Sequence, residues 1–320
     1  MQFDLSPADL AHYHGSVREP DDFDAFWSAT LEEARRHTVD VRSERVRTPL
    51  AAVEIHDITF NGFAGQPVKA WLRVPAGITS PLPTVVEFVG YGGGRGIPED
   101  ALFWSTAGFA HLQMDTRGQG ATWSPGDTPD PDGTGPHTPG MMTAGIEDPY
   151  GYYYRRLITD AVRAIDAAAE LDAVDPERII AHGVSQGGGL ALAATALNER
   201  VSALFACVPF LCDFPRAITV TDADPYKEIS RYLAVHRARE SEVLTTLSYV
   251  DGVCFARRAT APAVFTTSLM DTVCPPSTVF AAFNEYAAQD KQIWVHSHNG
   301  HEGGGREDAV RYVSERFRRE

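Results

Sequence analysis

Eight short apolar runs punctuate the chain. Glu54–Phe60, Val68–Val74, Thr84–Val89, Phe109–Met114, Arg178–Val184, Ala203–Val208, Ala263–Thr267 and Gln292–His296 each have strand length and carry mostly Val, Ile, Leu, Phe and Ala. From the third run onward, helical stretches stand between them. Tyr152–Leu171 places Leu157, Ile158, Ala161, Val162, Ile165 and Ala168 on one face, and Ser277–Tyr286 follows the breaker Pro275-Pro276. This alternation predicts an α/β fold with a mostly parallel central sheet flanked by helices and an antiparallel N-terminal start. No repeat or low-complexity linker divides the chain, so a single domain over residues 1–320 is expected, with a helical extension over about residues 1–40. Two stretches stay irregular in pattern. Thr122–Gly140 is dense in Gly, Pro and Asp, and loops of that length in a compact domain tend to bind or cover something. Phe210–Leu247 is a second candidate for part of a pocket wall.

The fifth run ends in Gly183-Val184-Ser185-Gln186-Gly187 and passes directly into the helix-like Gly189–Ala194. A strand, a sharp turn bearing a serine and then a helix is the setting of a nucleophile elbow, where glycines let strand and helix approach closely. Ser185 is the candidate nucleophile; the plain alternative is a turn into a packed helix. A serine hydroxyl needs a base, and the base an orienting acid, which in this architecture follow the serine in the order acid, then histidine. Asp271 stands just beyond the strand-like Ala263–Thr267, at the sheet edge that also carries the elbow. His301 lies in the glycine-rich stretch after Gln292–His296, with His298 as the second candidate base. Taken as a group, His296, His298, His301 and Glu302 suggest zinc, but the helical H-E-x-x-H spacing is absent, and no metal is expected.

Acyl transfer also needs amide donors for the developing oxyanion. The backbone N–H of Gln186 is one candidate. The other is that of Tyr91, in the loop Gly90-Tyr91-Gly92-Gly93-Gly94-Arg95-Gly96 after the third run. That loop has neither the Gly-Lys-Ser/Thr ending of a phosphate loop nor a dinucleotide fingerprint, so no nucleotide or other cofactor is expected. Arg117, just past the strand-like Phe109–Met114, is suited to pair with a carboxylate and pin its loop beside the elbow; Gln119 reads as scaffold.

Three motifs stand in order: Arg117-Gly118-Gln119, Gly183-Val184-Ser185-Gln186-Gly187 and His301-Glu302. Together they resemble the carbohydrate esterase family of acetyl xylan esterases and cephalosporin C deacetylases. The likeness extends to Pro20–Trp27, to Gly145-Ile146 ahead of Tyr152-Tyr153-Tyr154-Arg155, and to Leu269-Met270-Asp271 before Cys274-Pro275-Pro276, and so spans nearly the whole chain. Val89-Gly90-Tyr91 departs from the His-Gly-Tyr of many members. The resemblance implies an α/β-hydrolase with a Ser185, His301, Asp271 triad that deacetylates small esters of sugars or related alcohols. It also implies a ring-like homohexamer with active sites facing an internal cavity. For such a substrate, Trp123 and Tyr91 are candidate stacking platforms, the plain alternative being core aromatics.

A net charge of −15, from 43 acidic and 28 basic residues, argues against nucleic acid and anionic membranes as partners. No apolar run approaches the roughly 18 residues of a bilayer span. Residues 1–20 lack the basic and apolar regions of a secretory signal, so a cytoplasmic protein is expected. Cys207, Cys212, Cys254 and Cys274 show no zinc or redox spacing and read as reduced, mostly buried thiols. Three functions therefore remain: an acetyl esterase, a broad-specificity esterase or peptidase on the same scaffold, and a hydrolase-fold binding protein without catalysis.

Overall fold

The structure is a computed structural model that describes residues 1–133, 139–303, 309, 312–314 and 316. Its centre is one nine-stranded sheet ordered β1-β2-β3-β5-β4-β6-β7-β8-β9. The strands are β1 Arg42–Val46, β2 Val53–Asn61, β3 Pro67–Pro75, β4 Leu82–Phe88, β5 Ala110–Met114, β6 Val174–Val184, β7 Val201–Cys207, β8 Ala263–Ser268 and β9 Lys291–His296. Pairing is antiparallel through β1, β2, β3 and β5, and parallel from β5 through β4, β6, β7 and β8 to β9.

All eight expected strands are present within a few residues, and the predicted antiparallel start is found. The ninth, β1, was not expected. Its Arg-Ser-Glu-Arg-Val sequence is almost wholly exposed, so it has no apolar side to announce it, and it forms because β2 offers a free edge. Strand β6 begins earlier than its apolar pattern. Asp175-Pro176-Glu177 reads as a turn, and the ladder to β4 shifts register between Leu82 and Thr84 to absorb it.

Helices Tyr153–Ala168 and Gln186–Leu197 are buried on nearly every side. The first carries charge into the core, and each of those charges has a partner: Asp160 holds Arg117, and Arg156 holds Asp130. Near the N-terminus, helix Phe23–Arg35 docks through Phe23 and Trp27, whose indole N–H donates to the Tyr249 carbonyl at 2.8 Å. Among the described residues no helix is long and apolar enough to cross a membrane.

The topology positions the site. From β4 the chain moves to β5 on one side, and later adds β6 on the other, so the loops leaving β4 and β6 diverge over a crevice at the carboxyl edge of the sheet. Crevices at such switch points are the usual ligand sites of open α/β sheets.

Candidate active site

Ser185 sits where β6 ends, with φ 59° and ψ −121°, a backbone conformation that side-chain-bearing residues rarely adopt. Close packing holds it there. A Cβ on Gly183 would come within 2.2 Å of the Gly187 backbone, and one on Gly187 within 2.0 Å of the Phe88 carbonyl oxygen. The Ser185 N–H donates to the Cys207 carbonyl at 3.0 Å, and its own carbonyl accepts from Phe210 at 2.9 Å and Gly189 at 3.1 Å. The hydroxyl-bearing residue is 8% exposed, open enough for a small ligand to reach.

Asp271 follows β8 by three residues and is fully buried. One carboxylate oxygen accepts from the amides of Val273 (2.8 Å) and Cys274 (2.9 Å); the other lies 2.9 Å from Nδ1 of His301, which comes off β9. An ionised carboxylate only accepts, so Nδ1 carries the proton and Nε2 keeps its lone pair free to act as a base. His298 is exposed and makes no such pair. Glu302 closes the loop on itself, accepting from the Asn299 amide side chain at 2.8 Å and the Gly300 N–H at 3.0 Å. Among the described residues no group of three His, Cys, Asp or Glu side chains is placed to hold a metal ion.

Within the Gly90–Gly96 loop the amides divide by use. Gly92 donates to the Gln119 side chain at 2.6 Å, Gly93 to Gly90, Gly94 to Ser124 and Arg95 to Asp115. Among the described residues, the amides of Tyr91 and Gln186 donate to no protein group. These are the two proposed from sequence for the oxyanion.

A buried amide network joins the two donor loops. The Gln119 side-chain N–H₂ donates to Gln186 Oε1 and to the Tyr153 hydroxyl, both at 2.9 Å, while Tyr154 donates to Gln186 Oε1 at 2.9 Å and Gln186 donates to the Val89 carbonyl at 3.1 Å. Arg117 pairs with carboxylates as expected: Asp160 at 2.5 and 2.8 Å and Asp130 at 3.2 Å. Burial works against its charge, but the two aspartates outweigh burial and raise its pKa. Tyr153 hydroxyl donates to the Arg117 carbonyl at 2.6 Å, tying that ion pair to the network. The sequence reading missed Tyr153, Tyr154 and Glu228 as parts of this assembly. The first two lie in the Tyr152–Arg155 run that carried part of the family likeness; Glu228 lies in a helix with no local signal.

Trp123 and Tyr91 are placed together but differently. Trp123 is 62% exposed; its indole N–H donates to the Tyr91 carbonyl at 2.8 Å and its ring covers Gly93 so closely that a Cβ there would lie 2.3 Å away. Tyr91 turns inward, with its hydroxyl bonded to Glu228 and its ring edge on Phe210, so its ring packs against the core. Of the four cysteines, all free, Cys207 is half-buried and the others buried; burial, then the Asp271 charge, raises the Cys274 thiol.

A strained serine turn facing a glycine loop, on the carboxyl edge of a mixed sheet flanked by helices, defines an α/β-hydrolase. Comparison with known proteins carries the identification further. The acetyl xylan esterase (AXE1) family model matches residues 1–316, and the chain belongs to that family of acetyl esterases. It is similar to acetyl esterase Axe7A of Xylanibacter ruminicola, 29% identical over 301 residues, which are 90% of this chain and 64% of that longer protein. Its structure is similar to that of an acetyl xylan esterase from Paenibacillus sp. R4, with TM-score 0.89, 35% identity, and coverage of 98% of this chain and 100% of that one. Acetyl xylan esterase 1 from Thermoanaerobacterium sp. JW/SL YS485 superposes with TM-score 0.90 at 32% identity, covering 98% and 99% of the two chains.

Proposed function

We propose that this protein is a serine carboxylester hydrolase that removes acetyl groups from acetylated xylo-oligosaccharides and related small esters, cephalosporin C-type esters included. Ser185 is the nucleophile, His301 the base and Asp271 its orienter. The observation that carries the reading is the 2.9 Å pairing of His301 Nδ1 with buried Asp271, on the sheet edge that holds Ser185 in its strained turn.

In this mechanism Nε2 of His301 takes the Ser185 proton as the oxygen adds to the acetyl carbonyl. The oxyanion formed is met by the N–H groups of Tyr91 and Gln186, each such donor being worth about 3–4 kcal/mol of barrier in hydrolases where one has been removed. Collapse expels the sugar oxygen, which receives the proton from His301, and water then releases acetate from the acetyl-enzyme by the same route. Asp271 stays ionised throughout and favours the imidazolium. Trp123, exposed above the glycine loop, is the proposed platform for a sugar ring. The family likeness also supports a ring-like homohexamer, which light scattering checks.

The test is acetate release from acetylated xylo-oligosaccharides by wild type and Ser185→Ala, with 4-nitrophenyl acetate alongside. Both substrates are expected to be hydrolysed, with Ser185→Ala and His301→Ala each losing about 10⁴-fold or more and His298→Ala retaining wild-type rates. Hydrolysis of the generic ester alone would favour a broad-specificity esterase. Folded protein inactive on both would favour a binding protein.

A further inference from the structure

One half-buried carboxylate in this region is not used by the mechanism above. Glu228, on helix Tyr226–Val235, comes from the insertion between β7 and β8, 137 residues from Tyr91. Its Oε1 accepts from the Tyr91 hydroxyl at 2.7 Å, and its Oε2 accepts from the Met142 N–H at 3.2 Å. The same Tyr91 hydroxyl accepts from the amides of Gly140 and Met141, both at 2.9 Å. At the backbone, the Tyr91 carbonyl accepts from Trp123. Tyr91 is thus held at both ends, its carbonyl by one end of the long irregular loop and its hydroxyl by the other end and by Glu228. Its N–H, the one polar group left over, is the proposed oxyanion donor.

We propose that Glu228 is a positioning residue for acyl transfer: by anchoring the Tyr91 hydroxyl it sets the direction of the Tyr91 N–H. The inference rests on the serine-hydrolase reading above. Each bond is used in a way that only a carboxylate satisfies fully. Two acceptor oxygens face two donors, Tyr91 O–H and Met142 N–H; an amide in that place offers one acceptor and turns a donor toward one of them. Burial disfavours the anion and raises the Glu228 pKa, while the bonds from Tyr91 and Met142 work in the other direction. The contacts join helix Tyr226–Val235 to the Gly90–Gly96 loop and to Met142, so the placement of Tyr91 is coupled to that helix.

A misaimed donor weakens transition-state binding while leaving ground-state binding nearly intact. The experiment measures 4-nitrophenyl acetate hydrolysis for wild type, Glu228→Ala, Glu228→Gln, Tyr91→Phe and the Glu228→Ala/Tyr91→Phe double variant per site titrated with an organophosphonate, and for Ser185→Ala, which has no serine to titrate, per mole of folded protein. Inhibition by ethylboronic acid, which forms a tetrahedral adduct on the serine, is measured in parallel. Glu228→Ala and Tyr91→Phe are each expected to lower kcat about tenfold, with KM within about twofold and boronate affinity falling with kcat. Glu228→Gln, which keeps one of the two bonds, should fall about threefold, and the double variant should be no worse than the worse single one. A purely structural role would lower thermal stability without moving kcat per titrated site. The proposal is overturned if kcat of Glu228→Gln and Tyr91→Phe stays at the wild-type value, or if the loss falls on KM alone; these two variants decide the matter if Glu228→Ala does not fold. If instead Ser185→Ala hydrolyses as wild type does, the serine reading fails and this inference with it.

Discussion

The two loops proposed to present amides to an oxyanion are held by different means. The elbow, Gly183–Gly189, is fixed by hard contact: backbone presses on backbone at distances that leave no room for a single Cβ at Gly183 or Gly187. The Gly90–Gly96 loop is also closely packed, a Cβ on Gly94 meeting the Gly126 backbone at 2.2 Å, but its polar groups are held in addition by side chains that come from elsewhere. Gln119 holds Gly92, Asp115 holds Arg95, and Glu228 and Trp123 hold Tyr91. Sterics allow one arrangement and reject the rest, whereas a network of bonds can be loosened one member at a time. The elbow should therefore fail all at once under substitution, and the second loop by degrees.

Gly187→Ala tests the first half of that contrast and has the largest expected effect. Its Cβ would meet the Phe88 carbonyl, a backbone atom of β4 that cannot step aside without opening the sheet. A loss of more than about 4 kcal/mol, or no folded protein, is expected in urea denaturation. A variant with wild-type stability would show that the elbow is more yielding than its contacts imply.

Gln119→Ala tests the second half. It leaves the Gly92 N–H and the Gln186 side chain short of a partner inside the protein, at a cost of about 1–3 kcal/mol. Because the fold survives and both donor loops lose their link, kcat should fall about 10–100-fold with little change in KM. Equal loss in kcat and in stability with no intermediate state would place this loop in the same all-or-none class as the elbow.

The smallest effect concerns the segment that braces the elbow from behind. Phe210 donates to the Ser185 carbonyl, and the chain beyond it is held by Asp251, whose oxygens accept from Asp213 and Phe214 at 2.9 Å. Burial, with the Asp213 charge adding to it, pushes the Asp251 carboxyl up to about 7, three backbone N–H groups working in the other direction. A raised folded-state pKa means that the native state binds the proton more tightly than the unfolded chain. Stability from this group is then fully present below the unfolded value of 3.8 and is lost as pH rises toward about 7. In urea melts at about pH 4, 5.5 and 7, wild type should lose more stability with rising pH than Asp251→Asn, which cannot titrate. Equal slopes would mean that the three amides hold the carboxylate ionised and that the brace, like the second loop, is a matter of bonds rather than of burial.

The same contrast explains what was legible before the structure. The strands were readable because a buried strand must be apolar, and the elbow because its glycines flank a serine between a strand and a helix, although the contacts that demand them, Phe88 against Gly187 among them, come from distant segments. Asp271 and His301 were named from their places just beyond strands, since parallel strands end on one edge, and the structure pairs the two side chains at 2.9 Å; their catalytic roles are the proposal above. Strand β1 was not readable, having no buried side, nor was the early start of β6 through Asp175-Pro176-Glu177. Arg117 was rightly expected to meet a carboxylate, but which ones, Asp160 and Asp130, could not be named, since their approach depends on how helix Tyr153–Ala168 lies against the sheet.

By itself the sequence determined the fold class and the family, because these rest on periodicity and on short local motifs; the order of nucleophile, acid and base is what it proposes. Only the tertiary structure decided that Tyr91 turns its ring inward onto Phe210, that Gln119 and Gln186 share one network, and that Glu228 reaches the Gly90–Gly96 loop. Those contacts join residues far apart in the chain, and a hydrogen bond between distant side chains leaves no periodic trace in either of the segments it connects.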